Sequence, residues 1–192
     1  MPCIVVVGAQ AAGKTTLLER AKKFGGFEVI NIGDIILKLA IKREYVKNRD
    51  ELRYFDIKNR KTYMELQRLA YAEVGKMTGN VVIDTHAIIK AGNRYIPGMP
   101  YEYVKLLKDL IGFVYVDSEV EEILKRRKRD KVRKREIEDP LEITAKEEMD
   151  MGVLASYALS LNVPIYFIHN KEGKLEDAVQ EFQVYLSELF GV

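Results

Sequence analysis

The chain has 192 residues, 47% hydrophobic and 31% charged, which suits one folded domain and excludes a disordered chain. No apolar run reaches the roughly 18 residues of a membrane span, and one cysteine with two histidines is too few for a structural zinc site. The net charge is +2, but residues 125–135, KRRKRDKVRKR, hold nine basic residues and one acid, leaving 22 basic and 28 acidic residues elsewhere; a mildly acidic body thus carries one positive element suited to phosphate.

The amino-terminal stretch MPCIVVVGAQ has no basic leader region, so no signal peptide is expected. Cys3 has no intrachain partner and suits a reducing cytosol. Cys3 to Val7 is a β-branched run that predicts a strand, closed by Gly8. Residues 14–24 predict a helix from the spacing of Leu17, Leu18, Ala21 and Phe24. Phe27 to Ile30 predicts a second strand, and Asp34 is a candidate cap for a helix through Lys42. Residues 48–60 are polar and mix loop with a short helix, whereas 61–77 are helical in pattern. Asn80 to Asp84 is a third strand, residues 91–100 are rich in turn formers and predict a loop, and 101–110 fit a helix. A fourth strand at 113–116 precedes a helix at 119–129, and Asp139-Pro140 is a cap and first-turn pair for a long helix. Residues 163–168 are the fifth strand and 174–190 the last helix. Strands alternating with helices imply an α/β fold with a five-stranded parallel sheet covered on both faces.

Gly8-Ala9-Gln10-Ala11-Ala12-Gly13-Lys14-Thr15 matches G-x-x-x-x-G-K-[ST] between a strand and a helix, and Thr16 follows. That is the context of a phosphate-binding P-loop. Its glycines permit the turns that aim backbone N–H groups inward, and the helix start adds a positive dipole end. The Lys14 ammonium can reach the β- and γ-phosphates, and the Thr15 hydroxyl is a candidate Mg²⁺ ligand. Asp84, at the end of a strand, is a second candidate for Mg²⁺, through water.

P-loops serve GTPases, motors and small-molecule kinases. Asp84-Thr85-His86-Ala87 lacks the glycine of the GTPase D-x-x-G element, and Asn170-Lys171-Glu172-Gly173 has glycine where guanine recognition needs an aspartate. A small kinase fits better, with an insertion for the acceptor and a basic flap over the transferring phosphoryl. Two alternatives stay open on the residues alone: a kinase for another nucleoside monophosphate or small metabolite, and an ATP-dependent RNA-binding protein using the 125–135 run, although that run lacks interleaved aromatics for base stacking.

Gly33-Asp34, Arg49 to Arg53, Asp84 to Ile89, Tyr95-Ile96-Pro97-Gly98-Met99-Pro100 and Arg126 to Asp130 follow the P-loop in this order. Together they resemble the archaeal-type adenylate kinases over nearly the whole chain. The resemblance implies a P-loop kinase sandwich of one domain, 1–192, with an acceptor insertion at about 31–78 and a short basic lid at about 130–139. It also implies transfer from ATP to AMP giving two ADP, with Mg²⁺, in the cytoplasm, by a homotrimer; neither membrane nor nucleic acid is expected as a partner. The bacterial-type arginines that hold the AMP phosphate are absent: Leu37 and the 84–88 segment stand at those places.

The expected site follows. Gly8, Ala9, Gln10, Ala11, Ala12, Gly13, Lys14, Thr15 and Thr16 hold the ATP phosphates, and Thr15 with Asp84 holds Mg²⁺. Lys14, Arg126, Arg129, Arg133 and Arg135 stabilise the transferring group, arginine supplying a planar fork of donors. Gly33, Asp34, Arg49, Arg53 and His86 are the candidates for AMP, with Arg49 and Arg53 spaced i, i+4 on one helical face. Lys125, Arg127, Lys128, Lys131 and Lys134 are expected to be solvated. His169 is expected to be a structural residue at a strand end.

Overall fold

The structure, a computed structural model, describes residues 2–91, 94–129 and 139–191. Strand β1 (Cys3–Gly8) leads through the P-loop to helix α1 (Lys14–Ala21) and a 3₁₀ turn (Lys22–Phe24). Strand β2 (Glu28–Asn31) is followed by three helices, α2 (Ile32–Lys42), α3 (Arg49–Lys58) and α4 (Arg60–Val74), before β3 (Val81–Asp84). A hairpin of β4 (Ile88–Ala91) and β5 (Arg94–Pro97), the short α5 (Tyr101–Val104), β6 (Leu110–Asp117) and α6 (Val120–Arg129) come next. Helix α7 (Pro140–Leu161), β7 (Ile165–His169) and α8 (Leu175–Phe190) complete the chain.

The main sheet is parallel in the order β2-β3-β1-β6-β7. Alternate side chains of β1 serve two separate cores. Cys3, Val5 and Val7 pack with Ile36 of α2, Leu66 and Tyr71 of α4 and Leu154 of α7. Ile4 and Val6 pack with Leu17 and Leu18 of α1 and Val179, Phe182 and Leu186 of α8. That period of two, apolar on both faces, is the signature of a strand covered on both sides. Burying Phe113 and Phe182 completely contributes about 1.5–3 kcal/mol each.

Side-chain caps set several helix starts. Asn31, rather than Asp34, caps α2, its Oδ1 accepting the Asp34 N–H at 3.1 Å, so Asp34 lies in the first turn, where a carboxylate favours the dipole. Asn48 caps α3 by accepting from Glu51 N at 3.0 Å, and the Glu51 carboxylate takes the Lys47 N–H at 2.7 Å. Asp139 caps α7 at Leu141 N, 2.8 Å, with Pro140 opening the helix as the sequence predicts.

Three elements differ from the sequence expectation. The first helix ends at Ala21, and Phe24 stays half exposed rather than joining the core. Residues 88–91 and 94–97 pair as antiparallel strands, Ile89 with Ile96, where the abundance of turn formers in 91–100 predicts only a loop. Residues 101–110 form one helical turn and then run into β6, because the continuous burial of the long strand on both faces outweighs local helical spacing.

Candidate functional site

Chain order reverses about β1: β2 and β3 lie on one side, β6 and β7 on the other. Crevices at the carboxyl ends of such strands are where open α/β sheets bind ligands. The P-loop leaves β1 at this point. A Cβ on Gly8 would collide with the Val116 carbonyl of β6, so the first loop position has room only for glycine. Ala11 and Gly13 adopt φ of +75° and +90°, the left-handed turns that wrap the loop. Ala9 and Ala12 are buried in the α1–α8 core, which accounts for the loop's alanine-rich interior. Gly13 caps α1 without a side chain, so the first N–H groups of the helix point to the loop with no side-chain cap.

Lys14 extends across the crevice to pair with Oδ1 of Asp84 at the end of β3. Both side chains are below 10% exposure. The other oxygen, Oδ2, accepts from Asn31 Nδ2 at 2.7 Å. Three strand ends thus deliver one buried polar cluster, oriented from two sides. Thr15 and Thr16 face solvent in the first turn of α1. The Thr15 hydroxyl and Asp84 carboxylate are hard oxygen donors, the chemistry Mg²⁺ takes alongside water and phosphate oxygens.

The α6 arginines lie against the loop from the other side. Arg126 Nη1 donates to the Ala12 carbonyl at 3.1 Å, and its Nη2 to the Asn170 carbonyl at 3.0 Å. Its Nε reaches Glu172 at 3.3 Å, and Arg129 Nη1 reaches the same carboxylate at 3.1 Å. Glu122 gathers this corner: it accepts from Ser118 Oγ at 2.7 Å, from Glu172 N at 3.0 Å and from Arg126 Nη2 at 3.3 Å. The Ser118 hydroxyl above all holds the Glu122 carboxyl below its ordinary range, against the opposing cost of desolvation, and the Glu172 amide and the Arg126 charge add to the fall. Asn170 Nδ2 reaches back 158 positions in sequence to the Ala12 carbonyl at 2.6 Å, so the loop after β7 braces the P-loop directly.

Arg127 corrects the sequence expectation. It is only 9% exposed, not solvated, and its Nε and Nη2 donate to the Gln10 carbonyl at 3.3 and 3.2 Å. Charge density alone could not separate it from its neighbours; its position four residues after the buried Ile123 is the signal that does. Arg133 and Arg135 lie outside the described residues.

Beside β2, Arg49 at the start of α3 donates through Nη2 to Asp34 Oδ1. A Cβ on Gly33 would stand 3.0 Å from Asn31 Oδ1 and 3.5 Å from Arg49 Nη1. Gly33, Asp34 and Arg49 therefore meet beside Asn31, and through it join Asp84. Arg53 lies on α3, with its side chain outside the described set. His86 follows Asp84 by two residues, half-buried, with its carbonyl so close to Gly98 that a Cβ there would clash. Gln67 of α4 holds the Tyr95–Pro100 segment from behind, donating to the Gly98 carbonyl at 2.8 Å. Tyr157 of α7 does so at the Met99 carbonyl, 2.9 Å. His169 ends β7 and pairs with Asp117 at 2.7 Å, the structural position expected of it.

Asn31 and Asp150 are polar residues that sequence reasoning passes over, and Asn170, weighed there only against guanine recognition, proves to brace the P-loop. Asp150 of α7 is 1% exposed, accepts the Ile88 N–H at 2.9 Å and takes the Lys146 ammonium at 2.7 Å. It thereby ties the segment after Asp84 to the long helix. A carboxylate four residues after a lysine was its one visible signal, and surface helices carry the same spacing.

Comparison with known proteins bears on this site. A family described as an AAA domain matches residues 7–144. The adenylate kinase of Thermoplasma volcanium is 34% identical over 92% of this chain and 95% of its own length. That of Pyrococcus furiosus is 36% identical over 94% and 93%, and that of Methanothermobacter thermautotrophicus 31% over 97% and 100%. Among solved structures, the shikimate kinase of Bacteroides thetaiotaomicron superposes with a TM-score of 0.60, covering 97% of this chain and 98% of that one at 21% identity, a likeness of fold. With a P-loop at the reversal of strand order, three helices between β2 and β3 and end-to-end similarity to archaeal relatives, the chain belongs to the adenylate kinase family.

Proposed function

We propose that the chain transfers the terminal phosphoryl group of ATP to the phosphate of AMP, producing two ADP, within a single domain spanning 1–192. Family membership supports the reaction, and the observation that carries the site assignment is the buried Lys14–Asp84–Asn31 cluster beside the P-loop. The amides of Gly8 to Thr16 and the Lys14 ammonium hold the ATP phosphates, so Lys14 leaves Asp84 for the β- and γ-oxygens when nucleotide arrives. Thr15 and Asp84 hold Mg²⁺, which neutralises phosphate charge. Arg126, which donates to the P-loop carbonyl of Ala12, and Arg129, which shares Glu172 with it, stabilise charge on the transferring group together with Arg133 and Arg135. An AMP oxygen attacks the γ-phosphorus as the bond to the β-phosphate oxygen breaks; the nucleophile is already an anion and needs no strong base.

Gly33, Asp34, Arg49, Arg53 and His86 form the AMP site in this proposal. Arg49 exchanges its Asp34 partner for the AMP phosphate, the 31–78 insertion holds the acceptor, and the basic lid at about 130–139, of which 130–138 lie outside the described residues, covers the transferring phosphoryl and excludes water. Among the described residues no helix is long and apolar enough to cross a membrane, and the buried free thiol of Cys3 suits a reducing cytoplasm. The functional assembly implied by the resemblance is a homotrimer, which light scattering on the purified chain tests. The deciding experiment is an acceptor screen with Mg²⁺-ATP and AMP, GMP, CMP or UMP. Diphosphate formation with AMP in preference to the others is expected; equal or greater turnover with another acceptor overturns the assignment.

A further inference from the structure

One turn of the P-loop is held in a conformation that its own residues do not favour. The Ala12 N–H donates to the Ala9 carbonyl at 3.1 Å, which closes a turn over Ala9-Gln10-Ala11-Ala12. Ala11, the third residue of that turn, has φ +75°. Glycine is the usual residue at a positive φ there, because an L side chain crowds its own backbone. An alanine relaxes by rotation of the peptide between the second and third residues, which gives the commoner turn with a negative φ at the third. A non-glycine residue stays in the left-handed region only where its surroundings fix it.

The group that fixes this peptide comes from α6. The peptide's oxygen is the Gln10 carbonyl, and Arg127 donates to it twice, from Nε at 3.3 Å and from Nη2 at 3.2 Å. Arg127 is buried, so a charged donor acts here largely out of water, where it is strongest. The Ala12 carbonyl is held in the same way, by Asn170 Nδ2 at 2.6 Å and Arg126 Nη1 at 3.1 Å. In a planar trans peptide the C=O and the N–H point in opposite directions. Holding the Gln10 oxygen against Arg127 therefore aims the Ala11 N–H away from that guanidinium.

We propose that Arg127 is a positioning residue that acts through the loop backbone: it selects the orientation of the Gln10–Ala11 peptide, so that the Ala11 N–H is turned toward the phosphates before ATP arrives. The proposal rests on the reading that the P-loop holds ATP. Rotating the peptide would put a carbonyl where the N–H stands, a dipole of the wrong sign for an anion. An amide already in place needs no rotation on binding, so nucleotide affinity reads the bias directly. Arg127 also acts on α7. There burial first, and the Asp117 charge next, push the Glu147 carboxyl up to about 7, while Lys146 and Arg127 pull it down and Asp150 adds to the rise. Removing the guanidinium thus disturbs packing as well as the loop, and the two effects need separating.

The test is a double-mutant cycle between Arg127 and Ala11, read by calorimetry with ATP in the absence of AMP and Mg²⁺. Arg127→Met is expected to weaken ATP binding about tenfold, the scale of a lost hydrogen bond from a charged donor. In the Ala11→Gly background the same substitution should weaken it no more than about threefold, because glycine enters the positive-φ turn without a brace. A packing defect, or a lost attraction between guanidinium and phosphate, is blind to residue 11. Equal losses in the two backgrounds therefore overturn the proposal, as does an affinity within about twofold of native in Arg127→Met. Thermal melting follows the fold. If Arg127→Met does not fold, the cycle with Arg127→Lys decides, since lysine keeps the charge but has one nitrogen in place of the fork; no loss there, or a loss that Ala11→Gly leaves intact, overturns the proposal. Absence of ATP heat from the native chain overturns the reading of the P-loop itself, and the proposal with it.

Discussion

Gly13→Ala tests the physical basis of the P-loop most directly. At φ +90° an alanine is in a conformation that costs an L residue about 1–2 kcal/mol. Its Cβ would also fall on Asn170 Nδ2, displacing the group that donates to the Ala12 carbonyl at 2.6 Å. Losing that buried hydrogen bond costs a further ~1–3 kcal/mol. Together the loop geometry proposed to hold ATP is destabilised by roughly 2–5 kcal/mol, a loss of ATP affinity of about 30-fold at the lower end. Calorimetry with ATP reads the affinity, and thermal melting shows whether the fold survives. Adding Asn170→Ala to the variant removes the clash but neither lifts the backbone cost nor restores the hydrogen bond to Ala12, so the affinity should stay reduced. ATP binding within threefold of the native chain in the single variant would refute the reasoning, as would native affinity in the double variant.

Lys14→Ala should lower turnover by on the order of 10²-fold or more and, by leaving Asp84 buried without its cation, reduce stability by about 3–5 kcal/mol; native turnover in a coupled assay contradicts the site. Asp150→Ala strands Lys146 and the Ile88 N–H, and urea unfolding should show a loss of about 3–5 kcal/mol, whereas Asp150→Asn keeps an acceptor for Ile88 and should lose less; equal losses contradict the clamp. Glu147 has a folded-state value of about 7 against an ordinary 4.5, so it binds more protons folded than unfolded and its contribution to stability falls as pH rises through that window. For a half-buried group, screening reduces the cost to roughly 1–2 kcal/mol. Glu147→Gln should therefore raise the melting temperature at pH 8 more than at pH 5, and an equal shift at both values refutes the ionisation argument.

Local patterns carried most of the architecture. The P-loop is eight consecutive residues, and its turns and helix start follow from glycines and propensities within that span. The strand alternation of Cys3 to Val7 and the Asp139-Pro140 start of α7 were equally plain, because both depend on near neighbours in the chain. Asp84 was legible as a strand-end acid, but its two partners were not.

The remaining contacts required the order of the strands. Placing β1 between β3 and β6 brings Lys14 to Asp84 across 70 positions, Arg127 to Gln10 across 117 and Asn170 to Ala12 across 158. Composition made the 125–135 run a uniform basic element, yet packing on Ile123 buried Arg127 and left Lys128 in solvent. Residue type and local spacing thus determined which groups were available for phosphate chemistry and where strands and helices begin. Which of those groups face one another depended on the tertiary fold, because a short-range interaction acts only between groups that the packing of distant segments brings within a few ångströms.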